Sequence, residues 1–412
     1  MSCGCHIGGD LVTDYRLKCI SCEKEYEPER SLYFCHECGP LMGTLEVLYD
    51  YDSIKIGRDF SKNAGITQFS NLLPVKFQTS MDSYVGGTPL IRLKNLFGSN
   101  EVLIKFDGVS MSGSYKDRAS IIAINKAIEY GFDTIFCAST GNAASSLAIL
   151  SAHTHLKTYI FVPSTIPKGK LAQLVAAGAM VLPLIGTYDE AFDISMDIGL
   201  KKGWYCRNSA INPYLLEGKK TGAYEIIVQN DYKVPDFCFV SVGDGTVVSS
   251  LFKGFMEFNR LGLTDKMPKI IGVQAEGAST LKKVFEKGKP YLPIEEMVST
   301  LADSISVGNP RDVIKACKYM EKYDGELISV SDEEILQGIM TLGSKTGVFS
   351  EPAGAAAFAG YQKMMGAGRI TPDQSVCLVI TGNGLKDIHA VENAVNVNNY
   401  KKEEIYNMLE GV

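Results

Sequence analysis

From about Glu101 onward, the chain alternates between short apolar runs and longer amphipathic stretches. A short, continuous apolar run is typical of a strand buried on both faces, and a helix-length amphipathic stretch is typical of a covering helix. The predicted strands are Val102–Asp107, Thr134–Ser139, Thr158–Pro163, Val181–Gly186, Phe237–Gly243, Lys269–Glu276 and Val376–Gly382. The predicted helices include Lys116–Tyr130, Gly141–Ala152 and Pro167–Ala177. This alternation predicts an α/β fold with parallel sheets that carry helices on both faces.

The first part of the chain has a different pattern, because six of its eleven cysteines lie within the first 38 residues. Cys19-x-x-Cys22 is followed by Cys35-x-x-Cys38, and two such pairs can complete a tetrahedral metal site. The strand-like segment 43–52 would supply the small sheet of a zinc ribbon. Four unrelated buried thiols or two disulfides are the alternatives. The double spacing favours a structural zinc site, since four thiolates leave no open coordination position.

Composition narrows the range of partners. Lys and Arg number 41 against 47 Asp and Glu, and the resulting charge of −6 argues against a nucleic-acid or anionic-membrane partner. The longest apolar run, Leu174–Ile185, is interrupted by Gly178 and Pro183 and is too short to span a bilayer. The first residues show no signal-peptide pattern, so we expect a cytoplasmic protein with reduced thiols.

Chemistry is expected at four loops, because ligands of doubly wound sheets bind beyond the carboxyl ends of the strands. These loops, each between a predicted strand and the following segment, are Ser112–Ser120, Ser139–Ser146, Ser241–Ser250 and Thr381–Asp387. The first contains Lys116 at the start of a helix, where Arg118 would favour the neutral, nucleophilic amine. Taken singly, each loop also fits a structural role: a solvated lysine, a helix cap or a glycine-rich turn.

The other three loops suggest anion and ring contacts. Backbone N–H groups and hydroxyls at the start of a helix can bind a carboxylate at the second loop or a phosphate at the third. Asn142 can donate to a phenolate oxygen, and a hydroxyl in the fourth loop can bond to a ring nitrogen. Asp244 is unfavourable beside an anion, so we expect its side chain to point away from a bound phosphate.

Together these segments resemble threonine synthase, a fold-type-II pyridoxal-phosphate enzyme. The segments that carry the resemblance occur in the family's order and are Gly86–Leu90, Ser114–Arg118, Ser139–Asn142, Ala302–Arg311, Ser350–Ala356 and Thr381–Asp387. The cysteine-rich segment is similar to the ribbon that some members carry. The resemblance implies two doubly wound domains around the cofactor, preceded by a zinc-ribbon-like module. We therefore expect a module in residues 1–52, a large domain in 53–112 and 206–412, and a small mobile domain in 113–205.

The resemblance also implies a role for each site residue. Lys116 would hold pyridoxal phosphate covalently and move protons, Asn142 would bond the 3′-oxygen of the cofactor, and Thr381 would face its ring nitrogen. The cofactor phosphate would lie in the loop formed by Gly243, Asp244, Gly245 and Thr246. The carboxylate of a small amino-acid substrate would be bound by Ser139, Thr140, Gly141 and Ala143. A homodimer is the expected assembly.

Departures from the family pattern leave the exact reaction open. Leu215 stands where the family has the arginine that grips substrate phosphate, and Asn383 stands where it has a histidine. Arg207, Lys219 and Lys220 are nearby cations that could replace the arginine. Threonine formation from O-phosphohomoserine and water is the first hypothesis. Elimination or replacement at the β-carbon of serine, threonine or O-phosphoserine is the second, and a catalytically silent regulatory module is the third.

Overall fold

The computed structural model describes residues 13–392 and 398–410. Its strands are β1 (Tyr15–Cys19), β2 (Glu25–Tyr26), β3 (Leu45–Tyr49), β4 (Leu90–Leu96), β5 (Ser99–Phe106), β6 (Thr134–Ala138), β7 (Lys157–Pro163), β8 (Met180–Leu184), β9 (Tyr205–Cys206), β10 (Phe237–Ser241), β11 (Lys269–Ala275), β12 (Glu326–Val330) and β13 (Val376–Ile380). Its α-helices are α1 (Gly39–Met42), α2 (Lys116–Glu129), α3 (Asn142–Ser151), α4 (Lys168–Ala176), α5 (Tyr188–Lys201), α6 (Tyr214–Gln229), α7 (Thr246–Arg260), α8 (Thr280–Lys287), α9 (Val313–Lys322), α10 (Asp332–Thr346), α11 (Pro352–Gly366), α12 (His389–Glu392) and α13 (Lys402–Leu409).

The larger sheet has the strand order β12-β11-β10-β13-β5-β4. All of its neighbouring strands are parallel except β4, which pairs antiparallel with β5 at the edge. Alternate side chains of β10 point to opposite faces: Cys238 and Val240 belong to the apolar cluster that contains α7, whereas Phe239 packs with α11. Burial on both faces explains the continuous apolar runs, and the predicted α/β fold is confirmed.

The smaller sheet is wholly parallel and has the order β8-β7-β6-β9. Helices α2, α3 and α5 pack against its strands. The predicted helices in residues 116–130, 141–152 and 167–177 are α2, α3 and α4, and each agrees with its observed bounds within two residues. The prediction did not include the strands β4, β9 and β12. β9 has only two residues, and β4 mixes polar with apolar positions because it lies at a sheet edge. In the part of the chain that the structure describes, no helix is both long and apolar enough to cross a membrane.

The N-terminal segment forms a third, antiparallel sheet with the order β2-β1-β3. The first twelve residues of the predicted module lie outside the described residues. β3 and the residue pair after it are joined to the larger body by buried polar contacts: Tyr49 donates to Glu217 and Tyr51 to Glu257, both at 2.8 Å. Lys253 donates to the backbone oxygen of Val47. These contacts attach the small sheet to α6 and α7.

Candidate active site

A cavity of about 670 Å³ lies where loops follow the carboxyl ends of β6, β9, β10 and β13. Its walls therefore come from both parallel sheets, as expected for ligand sites of doubly wound folds. The predicted site residues that line it are Lys116, Ser139, Thr140, Gly141, Asn142, Ala143, Gly243, Asp244, Gly245 and Thr381. Thr246 is buried in the first turn of α7 and is the one predicted cofactor residue that does not line the cavity.

Lys116 is the first residue of α2 and reaches the cavity wall. Its amine forms no hydrogen bond or ion pair with any described residue. Burial lowers the pKa of Lys116, the guanidinium of Arg207 lowers it further, and the carboxylates of Asp244 and Glu351 oppose this effect. The lowered pKa favours a neutral amine, which is the form that attacks a carbonyl carbon.

Arg118 does not have the role that the sequence suggested for it. Its guanidinium is buried and bonds to Asp107 and Glu225, each at 2.7 Å. These two carboxylates compensate its charge, so the cation that lowers the pKa of Lys116 is Arg207 instead. Arg118 joins α2 to Asp107, which directly follows β5, and to α6, and thereby fixes the position from which Lys116 extends.

Asn142, the first residue of α3, donates its amide hydrogens to both carboxylate oxygens of Glu351 at 2.9 Å. Glu351 precedes α11 and also lines the cavity. Burial raises the pKa of Glu351, although the bonds from Asn142 and the charge of Lys116 oppose that rise. Sequence reasoning placed Glu351 in a family motif without assigning it a role, and the contact with Asn142 shows that it belongs to the site.

The loop between β6 and α3 presents small, polar groups to the cavity. Ser139, Thr140 and Gly141 are half-buried there, and the N–H of Gly141 donates to Ser139 Oγ at 3.2 Å. A Cβ at position 141 would meet no atom within 4 Å, so the backbone of this loop faces open space. Exposed N–H groups and hydroxyls at the start of a helix suit the binding of a carboxylate.

The loop before α7 contains an internal cap. Gly245 has a φ of +96°, a conformation that favours glycine, and it turns the chain into the helix. Asp244 Oδ1 accepts hydrogen bonds from the N–H of Thr246 at 2.9 Å and from its hydroxyl at 2.8 Å. Burial alone would raise the pKa of Asp244, but Lys219, Lys116 and the Thr246 bonds hold it below its usual value. Lys219 also donates to the Thr246 hydroxyl, so a buried cation lies beside this loop.

Thr381 follows β13 on the cavity wall, and its hydroxyl is free of hydrogen bonds to the described residues. Asn383 has a structural role: its amide donates to the Gly108 oxygen and its Oδ1 accepts from the N–H of Leu385, both at 3.0 Å. Leu215 is 1% exposed and packs in the core, so it does not line the cavity.

A family model described as pyridoxal-phosphate dependent enzyme matches residues 81–382. The threonine synthase of Methanosarcina acetivorans is 38% identical over 383 residues, which cover 92% of this chain and 93% of that protein. The threonine synthase of Methanocaldococcus jannaschii is 38% identical over 380 residues, covering 90% and 92%. These relatives therefore extend over nearly the whole chain.

Solved structures share the fold at lower sequence identity. Processed threonine deaminase isoform 2 from Solanum lycopersicum superposes with a TM-score of 0.63 at 21% identity, covering 78% of this chain and 82% of that one. Diaminopropionate ammonia lyase from Escherichia coli gives a TM-score of 0.63 at 18% identity, covering 74% and 86%. At these identities the likeness shows the fold alone.

Proposed function

This chain belongs to the pyridoxal-phosphate dependent enzyme family, and we propose that it is a threonine synthase, which forms threonine and phosphate from O-phosphohomoserine and water. The observation that carries this proposal is the extent of the similarity to threonine synthases, at 38% identity over more than nine tenths of those proteins. The cavity contains residues of the types that such chemistry requires.

The residues of the cavity fit pyridoxal phosphate. The free amine of Lys116 can bond to its carbonyl carbon, and the N–H groups around Gly243 and Gly245 are suited to its phosphate. The free hydroxyl of Thr381 can face the ring nitrogen. Such a neutral partner leaves that nitrogen unprotonated, which suits elimination and replacement better than transamination. When bound, the cofactor supplies an electron sink for charge that develops on the substrate.

The protein groups then handle substrate and protons. The loop of Ser139, Thr140 and Gly141 binds the substrate carboxylate and fixes its orientation. The Lys116 amine, whose lowered pKa favours the neutral form, takes protons from Cα and Cβ and returns them, while phosphate leaves from Cγ and water adds at Cβ. Glu351, with its raised pKa, is a second group beside Asn142 that can hold a proton.

We also propose one structural zinc ion in the N-terminal sheet. The four Sγ atoms of Cys19, Cys22, Cys35 and Cys38 all lie within 4.8 Å of one another, and each cysteine is free of a disulfide. Four thiolates at this spacing suit tetrahedral zinc and leave no position for a substrate, so the ion would stabilise the fold.

A substrate panel tests the reaction. The holoenzyme is incubated separately with O-phosphohomoserine, O-phosphoserine, threonine and serine, and phosphate, ammonia, keto acid and threonine are measured separately. We expect phosphate and threonine in equal amounts from O-phosphohomoserine alone. A keto acid or β-substituted product from serine or O-phosphoserine, with O-phosphohomoserine unused, would place the enzyme in the β-elimination or β-replacement class.

The control for this panel is Lys116→Ala. Because the variant lacks the amine that bonds to the cofactor and moves protons, we expect no turnover and no lysine-linked cofactor. Borohydride reduction followed by peptide mass analysis detects the linkage. A reduced cofactor adduct on another lysine of the wild-type chain would contradict the assignment. A wild-type protein that binds the cofactor but turns over no amino acid would instead support a regulatory module.

A further inference from the structure

Arg207, which follows β9, is a buried cation without compensating partners. Its side chain is 0% exposed, and its Nε donates to Ser120 Oγ at 3.1 Å. Its two terminal nitrogens, Nη1 and Nη2, have no hydrogen-bond partner within the described residues, yet the residue lines the cavity. An unpaired buried guanidinium is costly, and most buried polar groups in proteins are satisfied. This cost is consistent with a site that binds an anion.

The acidic groups around Arg207 are already engaged. Burial lowers its pKa, and the nearby Cys137, Asp244, Cys206 and Asp117 oppose that shift. Asp244 accepts from Thr246, and Asp117 accepts from the Ser112 hydroxyl and N–H. Arg207 forms no ion pair with them, so its terminal N–H groups remain available to a ligand.

The neighbouring cations are committed elsewhere. Lys220 is buried between Glu217, at 2.6 Å, and Glu257, at 2.9 Å. Lys219 donates to Thr246 at the start of α7. Arg311 also lines the cavity, but it is half-buried and its guanidinium stacks 3.6 Å from the centre of the Phe192 ring. Among these cations, Arg207 combines full burial with unused donors.

The two residues after Arg207 supply an amide held by the protein and a free hydroxyl. Asn208 is held by bonds to the N–H of Ala138 at 2.7 Å and to Ser195 Oγ at 3.1 Å. Ser209 lines the cavity, and its hydroxyl has no partner in the described part of the chain. A guanidinium and a hydroxyl that face the same cavity are suited to the oxygens of a phosphate group.

We propose that Arg207 binds the phosphate group of the phosphorylated amino-acid substrate, in place of the arginine that is absent at Leu215. This inference rests on the proposed function. The cofactor also carries a phosphate, but Gly243 and Gly245 lie in the loop before α7, where the amine of Lys219 reaches Thr246 from α6. Arg207 instead extends from the loop after β9. The cofactor phosphate is therefore assigned to the loop before α7, and the substrate phosphate to Arg207.

The test compares Arg207→Met, Arg207→Lys and Arg311→Lys with the wild-type holoenzyme. For Arg207→Met we expect kcat/KM for O-phosphohomoserine to fall about ten- to a hundredfold, mainly through KM, because charge-assisted hydrogen bonds are lost. Inhibition by inorganic phosphate should weaken in parallel, and the variant should still bind the cofactor. Arg207→Lys should be intermediate, since it keeps the charge but loses the fork of donors. Arg369→Lys, on an exposed pair with Glu326, is the matched control.

A second measurement keeps the test valid if folding is altered. Thermal melting with and without inorganic phosphate should show a phosphate-dependent rise in the wild type that is lost in Arg207→Met. Unchanged KM and phosphate response in a folded Arg207 variant, with an active wild type, would overturn this proposal alone. Loss of cofactor from Arg207→Met, or a KM effect confined to Arg311→Lys, would also overturn it. A wild-type holoenzyme that does not use O-phosphohomoserine would overturn the proposed function as well.

Discussion

At the scale of single residues, the site depends on which buried charges are compensated. Arg118 and Lys220 each contact two carboxylates, whereas Lys116 and Arg207 have no ion pair with a described residue. A buried lysine without a partner favours its neutral form. A buried arginine without a partner stays charged, because its pKa remains far above physiological pH even when burial lowers it. The same cavity therefore offers one nucleophilic amine and one permanent cation.

Lys219 supplies a pH-dependent charge beside the loop before α7, which we propose binds the cofactor phosphate. Burial, assisted by the charges of Lys116 and Arg207 and opposed by those of Asp244 and Asp312, lowers the pKa of Lys219 to about 7. A phosphate dianion beside Lys219 would favour the charged form. In the free enzyme, the Lys219 amine is already protonated below pH 7. At higher pH this amine must take up a proton when the cofactor binds.

We predict that the advantage of the wild type over Lys219→Met in cofactor affinity is greatest below pH 7 and declines as the pH rises through 7. At the acidic end the difference should be about tenfold, as for one charge-assisted hydrogen bond. Cofactor dissociation constants measured from pH 6 to 9 on both proteins provide the check. Lys219→Met is also the control, because Lys116 and the cofactor phosphate ionise in both the variant and the wild type. A constant ratio across this range would contradict the prediction.

At the scale of elements, close contact between two helices positions Lys116. Helices α2 and α6 pack where α6 has glycine: a Cβ at position 218 would lie 1.8 Å from the backbone oxygen of Arg118, and one at 222 would lie 2.0 Å from the Tyr115 hydroxyl. Side chains at these two positions would therefore push α2 away. Since α2 begins at Lys116, the separation of these helices controls where the amine lies in the cavity.

We predict that Gly218→Ala destabilises the protein by about 1–3 kcal/mol, because the contact is with backbone that cannot move alone. It should also reduce kcat, since α2 carries Lys116. Gly343→Ala is the matched control: it lies inside α10 with no atom within 4 Å of its Cβ, and should stabilise the protein by about 0.5–1 kcal/mol. Denaturant unfolding and steady-state kinetics of both variants provide the measurement. Equal effects from the two substitutions would show that helix contact is not the cause.

At the scale of the whole molecule, the cysteine-bearing sheet is joined to the catalytic body. A buried cluster with 0% exposure consists of Glu217, Lys220, Lys253 and Glu257. Tyr49 at the end of β3 and Tyr51 just after it donate into this cluster. Removal of a partner from such a cluster leaves an uncompensated buried charge, which is strongly destabilising. Disorder of the small sheet should therefore weaken α6 and α7 as well. The homodimer and the division into three domains stay predictions.

We predict that chelation of zinc lowers the melting temperature by about 5–10 °C, since each kcal/mol lost shifts that temperature by roughly 2–4 °C in domains of moderate size. Metal analysis and thermal melting before and after chelation measure the effect. The variant Cys19→Ser/Cys22→Ser should melt at the lower temperature without chelator and respond no further to it. Protein purified without chelator that contains no zinc would rule out the metal site.

Local sequence patterns were enough to predict the α/β alternation, the loops that line the cavity and the paired cysteines, because periodicity and turn chemistry are local properties. Lys116, Asn142 and Thr381 could be placed on the cavity in this way. The edge strand β4 and the two-residue β9 were missed, because their pairing depends on strands elsewhere in the sheets.

Local patterns did not reveal which buried charged residues lack a partner, because the partners come from other parts of the fold. Arg118 looked like the cation beside Lys116, but Glu225, distant in sequence, compensates it, and Arg207 acts on the amine instead. Glu351 was recognised in the sequence as part of a family motif, but only its contact with Asn142 shows that it belongs to the site. The energy of a buried charge depends on partners that folding brings together from distant parts of the chain, and no local pattern encodes them.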